Sequence, residues 1–167
     1  LSLWPLVLTG ILSAWVAFPI AFFNISYSYL PSHEAQHDIY ARPGDKLRWL
    51  NELIGHTSVI PLVSSYRVLK MTHLEHHKHT NNPDLDPDYD THAPSALAAL
   101  WKALKARNPK SEFLDSYEKT LDRLDQEQAG LARRDGIFIN LCYLAVLFAM
   151  AATGHALEAF LLWVLPL

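Results

Sequence analysis

An all-α integral membrane protein, a helical bundle with a helical cap on the cytosolic side, is the fold class this sequence predicts. Three observations predict it. Charge is segregated: residues 1–32 hold no Asp, Glu, Lys or Arg, and Glu158 is the only such residue from Gly136 to Leu167. The apolar end segments match a bilayer, whose ~30 Å core takes ~20 helical residues. Between them, apolar residues recur at helical spacing.

The elements follow in chain order. Residues 1–31 predict a spanning helix over roughly 9–31, with the first residues closing a preceding helix. Pro5, Gly10 and Pro19 offer breaks, and a single long kinked helix is the alternative. Tyr27 and Tyr29 suit a membrane interface. Leu47 to Gly55 has helical periodicity. His56 to Ser65 is too short to span and is broken by Pro61, which favours a re-entrant or interfacial segment. Asn82 to Asp88 is a turn-rich acidic loop. Leu97, Leu100, Trp101 and Leu104 form an apolar stripe, with Lys102, Lys105 and Arg107 off it, as in a helix lying on an anionic membrane surface. Asn108-Pro109 ends that helix. Phe113, Leu114, Tyr117, Leu121 and Leu124 mark a second amphipathic helix.

Ile137 to Thr153 is the next spanning candidate, Gly154-His155 a turn, and Ala156 to Leu167 the start of a third span. All 14 Lys and Arg lie between Arg42 and Arg134, so the positive-inside rule puts residues 32–135 in the cytoplasm. A chain of 167 residues fits one domain: residues 1–31 transmembrane, 32–135 a cytosolic cap with interfacial helices, 136–167 a transmembrane hairpin. It begins with Leu and ends in an apolar run, and so reads as an excerpt of a longer protein. The net charge of −3 argues against a nucleic-acid partner. The single cysteine, Cys142, cannot form an internal disulfide.

The chemistry lies in two histidine clusters. One is His33-Glu34-Ala35-Gln36-His37; the other is His73-Leu74-Glu75-His76-His77, continuing to His79. Helical residues three and four apart share a face. His33 therefore joins His37, and His73 joins His76 and His77. Five imidazoles exceed the needs of one tetrahedral zinc and suit a pair of irons. The His-Glu-x-x-His string by itself would fit an intramembrane zinc protease, with Glu34 as general base. Glu34 to His37 also fits the Glu-x-x-His of ferritin-like proteins, but no second copy is present. Polar clusters beside hydrocarbon are costly, which favours a functional over an incidental reading.

These strings, with Leu50-Asn51-Glu52-Leu53-Ile54-Gly55, Tyr66-Arg67 and Thr80-Asn81-Asn82-Pro83-Asp84-Leu85-Asp86-Pro87-Asp88, resemble the membrane fatty acid desaturase family, closely over roughly residues 25–92. The resemblance implies a cytosolic cap holding two Fe ions. Its ligands from this chain would be His33, His37, His73, His76 and His77. It implies no catalytic residue beyond these ligands. It also implies a third histidine box beyond Leu167, without which the excerpt would be inactive. His79 receives no ligand role, and His56, His92 and His155 read as loop or interface histidines.

The implied reaction is O2-dependent introduction of a C=C bond into an acyl chain of a lipid or carrier. A separate ferredoxin- or cytochrome-type protein would donate the electrons. A related di-iron hydroxylase or ketolase is the neighbouring reading, and a non-enzymatic metal-binding descendant a more distant one. If the protein is prokaryotic, the bacterial inner membrane is the expected location. Glu34, Glu75, Asp84, Asp86 and Asp88 are candidates to orient ligand rings. Arg67 and Lys70 are candidates for an acyl-carrier or phospholipid headgroup.

Overall fold

The computed structural model describes residues 3–106 and 112–167, and among them every regular element is helical. Helix α1 (Leu3–Leu8) stops at Gly10, whose φ of +75° costs a glycine little. Helix α2 (Ala14–Gln36) starts behind Ser13, whose extended backbone precedes its first turn. It begins later than the sequence reading placed it, because the chain first turns at Gly10. It then continues through Pro31, so that His33 sits in its last turn and His37 caps it. Ser26 and Ser28 donate their hydroxyls to the carbonyls of Phe22 and Ile25, at 2.8 and 2.7 Å, which satisfies polar groups on an otherwise apolar helix.

Two compact units emerge. One runs to Tyr66 and resumes at Asp135; the other runs from Arg67 to Arg134. In the first, Val7, Ala17, Ala21 and Leu162 form a buried cluster. The alanines of α2 leave room there for the turn Phe160–Val164, which follows the short α8 (Ala156–Ala159). Trp163 of that turn donates Nε1–H to the Pro61 carbonyl at 2.8 Å. Helix α3 (Arg48–Ser58) packs on α2 through Asn51 and Gly55. The turn Ile60–Leu62 and Val63, in the left-handed region at φ +53°, then lead to Tyr66, where α4 (Tyr66–His79) begins.

The second unit holds most of α4, then α5 (Ala96–Ala106) and α6 (Glu112–Arg123). The expected stripe on α5 is present and exposed at Leu97, Leu100, Trp101 and Leu104, with Lys105 Nζ 5.5 Å above the Trp101 ring. Arg107 and Asn108-Pro109 lie outside the described residues.

Helix α7 (Gln126–Ala152) contains the expected spanning stretch from Ile137 and begins well before it. Its early start has a capping cause. The Asp125 carboxylate accepts the Gln128 backbone N–H at 2.8 Å, which caps the helix before its polar first turns. Among the described helices, α7 alone is both long enough and apolar enough to cross a bilayer, with mean hydropathy 1.8 over a window of which 0% is buried. Asn24, Ser26, Ser28 and two prolines lower the hydropathy of α2.

Gly55 allows α3 its closest approach to the buried Tyr66. A Cβ at position 55 would lie 2.5 Å from two ring carbons of Tyr66. An exposed helical Gly→Ala change normally gains about 0.5–1 kcal/mol. Here the rigid, fully buried ring has nowhere to move, and overpacking costs about 1–3 kcal/mol. Gly55→Ala is therefore expected to lower the thermal midpoint of the detergent-purified protein, whereas the same change at the open Gly130 should leave it level or raise it.

Candidate metal centre

The first histidine pair owes its geometry to the end of α2. His33 and His37 are one turn apart, and their ring centroids lie 4.9 Å from each other. Glu34 Oε1 stands 3.1 Å from His33 Nδ1, at the exposed side. The residues between them turn the other way: Ala35 and Gln36 are buried. A helix end leaves its last carbonyls without helical partners. The Ala35 carbonyl instead accepts the Tyr66 hydroxyl at 2.8 Å and the Asn51 amide at 3.0 Å. Burial pushes the Tyr66 phenol well above its ordinary pKa, so it stays a neutral donor.

The chain leaving His37 is fastened by Arg48. Its guanidinium donates to Asp38 at 2.6 Å, to the Ala41 carbonyl at 3.0 Å and to Glu52 at 2.5 Å. The hydrogen bond to Asp38 is the main reason the guanidinium is held more firmly protonated than usual. Asp38 itself sits at φ +57°, which turns the chain sharply after the second histidine.

The second cluster lies on α4. The rings of His73 and His77 are 4.6 Å apart by centroid, and His76 lies 6.3 Å from His73 and 5.7 Å from His77. The two Nε2 atoms of His73 and His77 approach to 3.1 Å. Two imidazole nitrogens each ~2.1 Å from one metal would lie about 3.0 Å apart at a right angle and about 3.4 Å apart at a tetrahedral one. The separation of the pair is therefore one that a shared metal ion allows.

His76 is oriented by a buried carboxylate. Its Nδ1 is 2.7 Å from Asp86 Oδ1, and the Asp86 side chain is 2% exposed. With Nδ1–H donated to Asp86, Nε2 carries the lone pair, the usual way an outer carboxylate fixes an imidazole. Asp86 also accepts the backbone N–H of Asn81 at 2.8 Å and of Asp88 at 2.9 Å. Burial works to raise its pKa, but the His76 and backbone hydrogen bonds outweigh that and hold it below the usual carboxylate range. Asp88 goes the other way: burial raises it, against the opposing hydrogen bond from Tyr117.

The remaining candidates separate by partner. Glu75 is buried and holds Lys78 at 2.5 Å, with His79 at 3.5 Å, so His79 faces a carboxylate at the end of α4. The Asp84 carbonyl accepts Arg123 Nη1 at 3.2 Å. Arg67 and Lys70 are half-buried in the first turns of α4. His56 packs on the Tyr66 ring at 4.9 Å, the His92 carbonyl accepts Lys102, and His155 faces Glu158 at 3.8 Å. Sequence reasoning passed over Asn51 and Tyr66 as anchors, read Tyr117 only as part of an amphipathic stripe, and passed over Arg123 altogether. Asn51 and Tyr66 stand inside the strings quoted above, which was the available signal.

A family model described as "Fatty acid desaturase" matches residues 4–167. Among curated proteins, the sn-1 oleoyl-lipid 12-desaturase of Anabaena variabilis is 30% identical over 102 residues, covering 61% of this chain and 28% of the relative. The sn-1 acyl-lipid omega-3 desaturase (ferredoxin) of Nostoc sp. (strain 36) is 33% identical over 78 residues, 47% of this chain and 22% of the relative. The zeaxanthin 4-ketolase of Chlamydomonas reinhardtii is 30% identical over 119 residues, 68% of this chain and 24% of the relative. The chain thus spans about a quarter of the length of these relatives. No solved structure matches. The zinc-protease reading finds no support in these matches.

If Asp86 orients His76, removing its charge should loosen bound metal with little change of shape. Asp86→Asn in the whole protein is expected to weaken metal retention by about 10–100-fold. Metal content after dialysis against a graded chelator series checks this. Wild-type retention would show that the carboxylate is not needed.

Proposed function

Because the chain belongs to the fatty acid desaturase family, a family of oxidoreductases, we propose that the whole protein is a membrane-bound, iron-dependent desaturase. On this reading it introduces a C=C bond into the acyl chain of a membrane lipid. The observation that carries it is the α4 constellation: two histidine Nε2 atoms 3.1 Å apart, beside a His76 that Asp86 holds with Nε2 free to ligate.

The proposed ligands are His33, His37, His73, His76 and His77. Four of these, His33, His37, His73 and His77, each offer an imidazole nitrogen that a metal ion could take. Neutral imidazoles leave the metal cationic. Bound iron with O2 would supply the oxidising power to break an unactivated C–H bond, which side chains alone lack. Five imidazoles are fewer than two six-coordinate irons need, so the reading takes the remaining ligands from the rest of the whole protein. The chain's own part is to orient. Asp86 fixes the His76 ring, and Tyr66 and Asn51 hold the backbone between His33 and His37. Arg67 and Lys70, in the turns of α4 before His73, are proposed to meet an anionic headgroup.

A lipid substrate and a separate electron donor are supported by relatives named acyl-lipid desaturases, one of which carries "ferredoxin" in its name. A second reading, a carotenoid-type ketolase, has its own support, since the zeaxanthin 4-ketolase aligns over 68% of this chain. The deciding experiment expresses the full reading frame in a host with a simple lipid profile and carotenoid precursors. New acyl double bonds are the expected result. Keto-carotenoids with unchanged acyl chains would transfer the proposal to the second reading.

Two further outcomes are expected. The purified whole protein should carry two irons per chain. His→Ala at any of the five proposed ligands should lower the iron content and abolish turnover, while His92→Ala should keep both. Tightly bound zinc without iron would overturn the metal assignment. For topology, the chain from Gly136 along α7 is proposed to cross the membrane, with residues 32–135 cytoplasmic. Lys119→Cys in a Cys142→Ala background should be labelled in sealed cells only by a membrane-permeant thiol reagent. Labelling by an impermeant one would reverse the orientation.

A further inference from the structure

We propose that α6, which carries no histidine, is a brace for the metal centre, and that Tyr117 and Arg123 are positioning residues acting on His76 through Asp86. The proposal rests on the metal-centre reading above and adds a part of the chain to it.

The carboxylate that orients His76 sits in the middle of a short loop, residues 82–88. A loop this rich in Asp would extend in water, because its charges repel and each is well solvated. Its fold therefore needs external fastening on both sides of Asp86. Some is internal: Asn82 Oδ1 accepts the N–H groups of Asp84 and Leu85 at 2.9 and 3.1 Å. The Asp86 N–H also donates to the Asn82 carbonyl at 3.0 Å, and the external fastening comes from α6. Arg123 donates Nη1–H to the Asp84 carbonyl at 3.2 Å and Nη2–H to the Leu85 carbonyl at 3.0 Å. Ser116 donates its hydroxyl to the Pro87 carbonyl at 3.0 Å, and Tyr117 donates to Asp88 Oδ1 at 3.1 Å.

The spacing on α6 is what makes this a brace. Ser116, Thr120 and Arg123 recur at helical spacing and so share a face. Thr120 is buried on that face, and its hydroxyl accepts Arg123 Nη2–H at 3.2 Å, which steadies the guanidinium. Two grips thus lie just before Asp86 in the chain and two just after it. An imidazole–carboxylate bond of 2.7 Å tolerates little movement of either partner. A loop freed at one end would let Asp86 swing and the His76 ring turn with it.

The test uses the iron-loaded whole protein in detergent and follows transfer of iron to a ferrous chelator, with helix content measured alongside. Tyr117→Phe removes one O–H, and Arg123→Gln removes the paired donors. Both should keep wild-type helix content and release iron several-fold faster, with Arg123→Lys falling between wild type and Arg123→Gln. The decisive comparison is with Asp86→Asn. If α6 acts through Asp86, neither α6 change should speed release further in the Asp86→Asn background, because interacting residues are not additive. Wild-type release rates in both variants, or additive acceleration in that background, would overturn the brace. Should Arg123→Gln fail to fold, Tyr117→Phe decides alone. A protein that holds zinc and no iron would sink the proposed function, yet the same variants followed by zinc release would still judge the brace.

Discussion

The first histidine pair depends on one backbone oxygen. The Ala35 carbonyl lies in the last turn of α2, where a continuing helix no longer supplies its i+4 N–H, and Ala35 is buried. A buried carbonyl without a partner costs about 1–3 kcal/mol. Three donors meet this one: the Tyr66 hydroxyl at 2.8 Å, the Asn51 amide at 3.0 Å and the backbone N–H of Asp38 at 3.1 Å. Because the carbonyl sits between His33 and His37, fixing it fixes the turn that presents both rings. Gly55 is part of the same arrangement, since the Tyr66 ring occupies the place its side chain would take. The glycine on α3, the tyrosine that opens α4 and the histidines on α2 are thus one packing problem.

On α4 the balance of terms is different. A buried carboxylate such as Asp86 loses solvation worth several kcal/mol, and only charge-assisted hydrogen bonds of good geometry offset that. Asp86 has three such partners, two backbone N–H groups and the His76 ring. The net effect favours the ionised form, which is the form that can hold an imidazole in one tautomer. Glu34 contacts His33 at 3.1 Å but is exposed, where water competes and a single pair contributes little. Two carboxylates next to two histidines therefore differ in what they can do, and burial decides it.

The sequence made the histidine clusters legible because helical spacing alone puts His33 with His37 and His73 with His76 and His77. The apolar part of α7 and the stripe on α5 were readable for the same reason. What stayed hidden depends on distance along the chain. Tyr66 meets Ala35 across 31 residues, and Asn51 meets it across 16; neither pairing leaves a periodic mark, because the acceptor is a carbonyl that every residue has. Five acidic residues were candidates to orient a ring, and only folding separates Asp86, buried against His76, from Glu75, which is also buried but faces Lys78 and His79. The start of α7 stayed hidden because its polar first turns do not look like part of an apolar helix, although the Asp125 cap continues them into it.

A histidine cluster built on one helix has a characteristic weakness, and the arrangement of α4 answers it. Spacing of i and i+4 brings two imidazoles together along one helix, but each ring still rotates about its own χ angles. His73 and His77 are constrained by proximity to each other; His76, offset around the helix, needs a partner from elsewhere. That partner comes from the loop just downstream, where Asn81 takes φ +64° and turns the chain back after α4 ends. A loop offers reach at the expense of rigidity, so its carbonyls and carboxylates have to be gripped along its length. Arg123, with a planar fork of donors, can hold two successive carbonyls at once, which an ammonium on a flexible stem does less well. Precision at the His76 ring thus rests on hydrogen bonds made to residues outside the proposed ligand set.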